Sequence, residues 1–241
     1  MSLKKAFLSL FSVVFLTTHG FGQLNTETKS GIKYLAKTPA KIAADSKLII
    51  LLHGVGSNEQ DLFSLSGKLG SNNVVVSARA PLTLSENSFA WYHLDFKTGE
   101  PVINYAEEQS SEKLLAQFID ALAAKYKIPA SKVFLIGFSQ GSIMSYQMAL
   151  HYPAKIKGIG VLSGRVLEET KEQYKNAKGV EKVNIFIAHG QNDQVLPIKH
   201  AAEARKFLDA HHLVAEYHEY QMKHEICAKE LDDVVSWLSK H

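Results

Sequence analysis

Six short apolar runs, spaced by longer amphipathic or loop stretches, constrain the fold more than anything else in the 241-residue sequence. They read KLIILLHG (47–54), NVVVSARA (73–80), KVFLIGFS (132–139), IKGIGVLSG (156–164), KVNIFIAHG (182–190) and AEYHEYQ (215–221). The first five are almost uninterruptedly hydrophobic, which a strand tolerates only when both of its faces are covered, as in a parallel sheet flanked by helices. The sixth alternates and fits an edge. Helical stretches fall between them at 58–69, 107–126, 140–151, 198–212 and 225–240. In the second of these Leu114, Leu115, Phe118, Leu122 and Tyr126 recur three or four residues apart and form one apolar stripe. Strand and helix alternating in this way predict an α/β domain with right-handed crossovers, a mostly parallel central sheet and helices on both faces. SGIKYLAK (30–37) adds an antiparallel edge strand. With 46% hydrophobic residues and no repeat, the chain reads as one domain with a sizeable core.

The N-terminus stands apart from this pattern. Lys4 and Lys5, an apolar run from Ala6 to Leu16, and Gly20 and Gly22 have the layout of a secretory signal peptide over residues 1–22, with the mature domain at 23–241. The run falls short of the roughly 20 residues that a membrane-spanning helix needs. The expectation is therefore an exported protein, periplasmic or extracellular, with no transmembrane segment after cleavage. Cleavage removes two lysines and no acid, so 27 basic against 24 acidic residues becomes 25 against 24. Such a balance offers nucleic acid no electrostatic attraction. A single cysteine, Cys227, excludes an internal disulfide. His211, His212, His218 and His224 lack metal-site spacing, since position 228, one turn beyond His224, is alanine. No glycine-rich phosphate loop or dinucleotide fingerprint is present, so neither metal nor cofactor is expected.

Gly137-Phe138-Ser139-Gln140-Gly141 fits the G-x-S-x-G nucleophile elbow, between a predicted strand and a predicted helix. The turn is so tight that a Cβ on either glycine would meet neighbouring backbone. A serine hydroxyl is a poor nucleophile near neutral pH, so the motif calls for a histidine to take its proton and a carboxylate to orient that histidine. On this architecture acid and histidine follow in later strand-end loops. Asp193, in AHGQNDQVLP, and His224, just past the sixth run, fit that order. Taken alone, Asp193 could be a turn residue and His224 a helix-entry residue. His189 precedes the acid and reads as a packed strand-end residue. Oxyanion-hole donors are expected from the backbone N–H of Gln140 and, in the early LLHGVG turn, of Val55.

Residues 80–106 are long for a connection and carry Phe89, Trp91, Tyr92, Phe96 and Tyr105. These aromatics either cap the sheet or line a pocket for an apolar group, Trp91 and Tyr92 among its lining. An exposed apolar patch there could also seat a membrane surface or a second subunit in a homodimer.

LLHGVGSNEQDL, SARAPL, AWYHLD, VFLIGFSQGSIMS, VLSG, AHGQNDQVLP, HEI and the terminal WL together resemble the phospholipase/carboxylesterase group of α/β-hydrolases, which includes the acyl-protein thioesterases. The resemblance spans about residues 45–240. It implies the α/β-hydrolase fold, with Ser139 as nucleophile, Asp193 as acid, His224 as base, Val55 and Gln140 as oxyanion donors, and the Trp91 region bordering the acyl site. Two positions depart from the group: Ser142 stands where a second glycine is frequent after the elbow, and Lys223 where glycine commonly precedes the histidine. The activity implied is hydrolysis of small to medium acyl carboxylic esters, lysophospholipids or thioesters included, through an acyl-enzyme. A peptidase or acyltransferase on the same scaffold, or a non-catalytic binding protein of this fold, are the alternatives.

Overall fold

In a strand successive side chains point to opposite faces, so a strand with helices on both sides must be apolar at every position. In the computed structural model, which describes residues 30–95, 102–174 and 177–241, β2 (Leu48–Leu52) is buried throughout. Leu48, Ile50 and Leu52 enter one core cluster while Ile49 and Leu51 enter the other. The same holds for β3 (Val74–Ala78), β8 (Val133–Phe138) and β9 (Gly158–Leu162), all fully buried. β10 (Asn184–Gly190) joins β9 on one side and β11 (Ala215–Tyr220) on the other, and with β1 (Tyr34–Lys37) these strands make a seven-stranded sheet in the order β1-β3-β2-β8-β9-β10-β11. All neighbours run parallel except β1, which pairs antiparallel with β3. The alternating sixth run is thus an edge strand, half-exposed over most of its length.

Helices α2 (Tyr105–Tyr126), α3 (Gln140–His151) and α5 (Lys199–Ala210) cover one face, through Leu115, Phe118, Met144, Met148 and Leu208. On the other face α1 (Glu59–Phe63) and α6 (Ala228–Lys240) contribute Leu62, Leu231, Val234 and Trp237. Asn104 caps α2 by accepting from Glu107 N–H at 3.3 Å. Lys127 ends that helix in the left-handed conformation at φ 53°.

Several boundaries differ from expectation. The helix predicted over 58–69 is one turn of α1 followed by a 3-10 turn at Ser64–Gly67. The last helix begins at Ala228 rather than at 225, because residues 221–227 form the loop that carries His224. Residues 80–106 are not a structureless loop: β4 (Leu82–Ser85) and β5 (Ser88–Ala90) form a hairpin, and β6 (Leu94–Asp95) pairs with β7 (Val102–Ile103). A short α4 (Glu168–Gln173) after β9 has no periodic signal in the sequence. The predicted signal peptide, residues 1–22, and Phe96 lie outside the described residues. No helix among those residues is long and apolar enough to cross a membrane.

Candidate active site

β8 delivers Ser139 to the carboxyl end of the sheet with φ 53° and ψ −116°, a conformation that side chains avoid unless the surroundings impose it. The flanking glycines show what imposes it. A Cβ on Gly137 would lie 2.3 Å from Gly141 O, and one on Gly141 would lie 1.9 Å from Leu52 O. Strand β2 therefore runs directly against the first turn of α3, and only glycine admits so close an approach. Ser139 N–H is held by Leu162 O at 3.0 Å, which fixes the turn to β9.

The three residues expected to cooperate come together from three loops. His224 Nε2 lies 3.0 Å from Ser139 Oγ, and His224 Nδ1 lies 2.7 Å from Asp193 Oδ2. Asp193 Oδ1 accepts from the N–H groups of Val195 (2.9 Å) and Leu196 (2.8 Å). Burial would push the Asp193 carboxyl up, but hydrogen bonds from His189, His224 and Leu196 N–H outweigh it and hold the group well below the usual carboxylate range. An ionised carboxylate can only accept, so Nδ1 of His224 carries its proton and Nε2 turns a lone pair to the serine. The Phe138 ring, 4.9 Å from the imidazole between centroids, backs it.

Gln140 is the first residue of α3, and the first N–H groups of a helix have no acceptor within it. Its side chain is a brace: Oε1 accepts from Trp91 N–H and Nε2 donates to Tyr92 O, both at 2.8 Å. Val55 follows Gly54, whose added Cβ would come within 3.2 Å of Ser139 Cβ, so this turn abuts the serine. The fully buried His53 fixes the turn's orientation. Ala80 N–H donates to Nε2 at 3.0 Å, so the proton is on Nδ1, which donates to Gly54 O at 2.7 Å. Burial lowers the pKa of this imidazole and keeps it neutral. No peptide bond here is cis, so with Gly54 C=O turned toward His53 the N–H of Val55 points the opposite way.

Trp91 and Tyr92, expected to border an acyl pocket, are packed inside the protein. They are 0% and 1% exposed, and Trp91 Nε1 donates to His53 O at 3.0 Å. Amphipathic aromatics with a buried polar group need a partner, and the indole N–H of Trp91 finds it in His53 O, beside the Gly54-Val55 turn.

Three contributions were not legible beforehand. His189 Nε2 stands 2.7 Å from Leu196 O and 3.4 Å from Asp193 Oδ2, so this strand-end residue holds the acid's loop; its spacing four residues before Asp193 was the available signal. Ser142 Oγ lies 2.6 Å from Gly137 O and 2.8 Å from Leu162 O and accepts from Leu162 N–H at 2.9 Å. The hydroxyl, absent where glycine stands, thus staples β8 to β9 beside the elbow. Lys223, the other departure, packs its carbonyl against Gly190, where an added Cβ would meet it at 2.3 Å.

The phospholipase/carboxylesterase family profile matches residues 35–241. The chain belongs to the phospholipase/carboxylesterase family. As such it is a hydrolase acting on carboxylic ester bonds. It is similar to carboxylesterase SOBER1 of Arabidopsis thaliana, 28% identical over 80% of this chain and 89% of that one. Acyl-protein thioesterase 1 of Saccharomyces cerevisiae is 28% identical, with coverage of 85% and 96%. Among solved structures, esterase PE8 superposes with a TM-score of 0.74 at 24% identity, over 87% of this chain and 98% of that one. The family's α/β-hydrolase fold is therefore shared across the matched length.

Proposed function

We propose that this family member hydrolyses small to medium acyl carboxylic esters through an acyl-enzyme on Ser139. The observation that carries the reading is the continuous relay from Ser139 Oγ through His224 to an ionised, buried Asp193, at 3.0 and 2.7 Å. His224 Nε2 takes the hydroxyl proton as Oγ attacks the ester carbonyl. Negative charge on the carbonyl oxygen goes to the N–H groups of Gln140 and Val55, the latter aimed by the grip of His53 on Gly54 O. Collapse of the tetrahedral species expels the alcohol, which receives the proton from His224. Water then attacks the acyl-serine by the same route and releases the acid. A thiol leaving group suits the same steps, and the similarity to a thioesterase supports including thioesters.

Turnover of p-nitrophenyl esters of increasing acyl length, beside Ser139→Ala, tests the mechanism. Activity is expected to fall to background in the variant, and fluorophosphonate to label wild type alone. Substantial turnover by Ser139→Ala would refute it. We also propose export, on the strength of the Lys4-Lys5 and Ala6–Leu16 pattern. Mass spectrometry of the expressed protein is expected to find an N-terminus near Gln23, and an intact N-terminus would count against export.

A further inference from the structure

The loop after β9 opens on a cavity of about 370 Å³, lined by Val102, Ile103, Tyr105, Arg165, Glu169 and His200 among others. Its borders are the elements that carry the relay. Leu162 O holds Ser139 N–H, and Arg165 is three residues further along, within about 10–11 Å of extended chain. Ser163 between them sits in the left-handed region at φ 53°. Gly164 presses onto α3, where an added Cβ would come 2.4 Å from Ser142 Cβ. On the opposite side His200 lies in the first turn of α5, seven residues beyond Asp193. The cavity therefore belongs to the carboxyl end of the sheet, where ligands of open α/β sheets gather.

Its charges are unequally engaged. Glu168 is exposed and paired with Lys171 at 2.7 Å. Glu169 takes a hydrogen bond from the Tyr105 hydroxyl, while its Oε2 is buried without a partner. Arg165 has no such partner: its Nε is buried without an acceptor, and no carboxylate among the described residues pairs with the guanidinium. A buried donor on a cation, left without a partner, needs an explanation, since desolvating it uncompensated is costly. Burial and the nearby Arg165 both lower the pKa of His200, so the imidazole adds no second positive charge that would hold a competing anion. The remaining wall, with Val102, Ile103, Val166 and Leu167, is apolar.

We propose that this cavity takes the carboxylate of an anionic ester substrate, with Arg165 pairing the carboxylate and the aliphatic wall covering the methylenes that join it to the ester. The proposal rests on the reading of Ser139 as nucleophile. The carboxylate could belong to the acyl part, as in a half-ester of a dicarboxylic acid, or to the alcohol.

Two substrates separate these sources: mono-p-nitrophenyl succinate, charged on the acyl side, and 4-carboxyphenyl butyrate, charged on the leaving group, each compared with p-nitrophenyl butyrate. Wild type is expected to favour one of the charged esters. In Arg165→Gln the ratio of its kcat/KM to that of the neutral ester should fall about 10–100-fold, as loss of a charge-assisted bidentate contact implies, with Arg165→Lys between. An unchanged ratio for both charged esters overturns the proposal. Succinate binding to Ser139→Ala by calorimetry needs no turnover. Binding that disappears in Ser139→Ala/Arg165→Gln supports the cavity even if Ser139→Ala retains full esterase activity, in which case the nucleophile reading alone fails. Turnover that requires Ser139 but ignores charge leaves that reading standing and sinks the cavity.

Discussion

Releasing the Gly54 carbonyl from His53 should slow catalysis without touching Ser139, His224 or Asp193. In wild type the imidazole is fully buried and bridges Ala80 N–H (3.0 Å) and Gly54 O (2.7 Å). In His53→Ala both bonds go. The freed Gly54-Val55 peptide can rotate, and a misdirected oxyanion donor costs up to about 10²–10³ in kcat, the figure for outright removal of one donor. Because the peptide stays present and is disoriented only part of the time, we expect a loss of about 10–100-fold in kcat with KM changed little. Ala80 N–H, left buried and unpaired, costs about 1–3 kcal/mol of stability, or a Tm lower by several degrees for a domain of this size. Two further variants separate the effects. Asn places an amide N–H near the position of ring Nδ1 and can hold Gly54 O, whereas Gln reaches toward Ala80 with an acceptor near Nε2. His53→Asn should therefore recover most of kcat but little stability, and His53→Gln the reverse. The assays are steady-state ester hydrolysis, the rate of fluorophosphonate labelling and thermal melts. A folded His53→Ala enzyme with kcat within threefold of wild type would refute the reasoning, as would equal activity of the Asn and Gln variants.

Glu108, on α2, is 3% exposed and accepts from Gln147 Nε2 at 2.7 Å, and burial pushes its pKa to about 7 from 4.5. A raised carboxyl means that the native state holds a proton the unfolded chain has released, so stability falls as pH rises from about 4.5 to 7, by on the order of 2–3 kcal/mol. Glu108→Gln keeps an acceptor for Gln147 and removes the charge; its Tm is expected to exceed that of wild type at pH 8 and to vary less between pH 5 and 8. An unchanged pH profile of Tm would contradict this origin. Gly141→Ala must displace Leu52 O, which its Cβ would meet at 1.9 Å, from a fully buried strand. We expect loss of fluorophosphonate labelling with a large drop in Tm; a variant with wild-type melting and labelling would show that α3 and β2 can separate at little cost.

The parallel sheet, its order of helices and its edge strand β11 were legible because burial on both faces demands unbroken apolar runs, and exposure of one face demands alternation. The meeting of Ser139, Asp193 and His224 could be expected for a related reason: each stands in a short strand-end loop whose place in the fold follows from chain order. The second half of the site was not legible. That Trp91 and Tyr92 are packed inside, beside the Gly54-Val55 turn, depends on the Gln140 side chain, which reaches 49 residues back to hold Trp91. That His53 aims a peptide, that His189 steadies Asp193 and that Ser142 staples β8 to β9 depend on distances of about 3 Å between atoms remote in sequence, for which no period or spacing exists. The sequence by itself determined which segments pair and which chemical groups reach the end of the sheet, because periodicity and chain order are local. Only the tertiary structure decided which groups are oriented, which are buried and which, like Arg165 Nε, find no partner among the described residues, because hydrogen bonding and desolvation are settled by packing between elements.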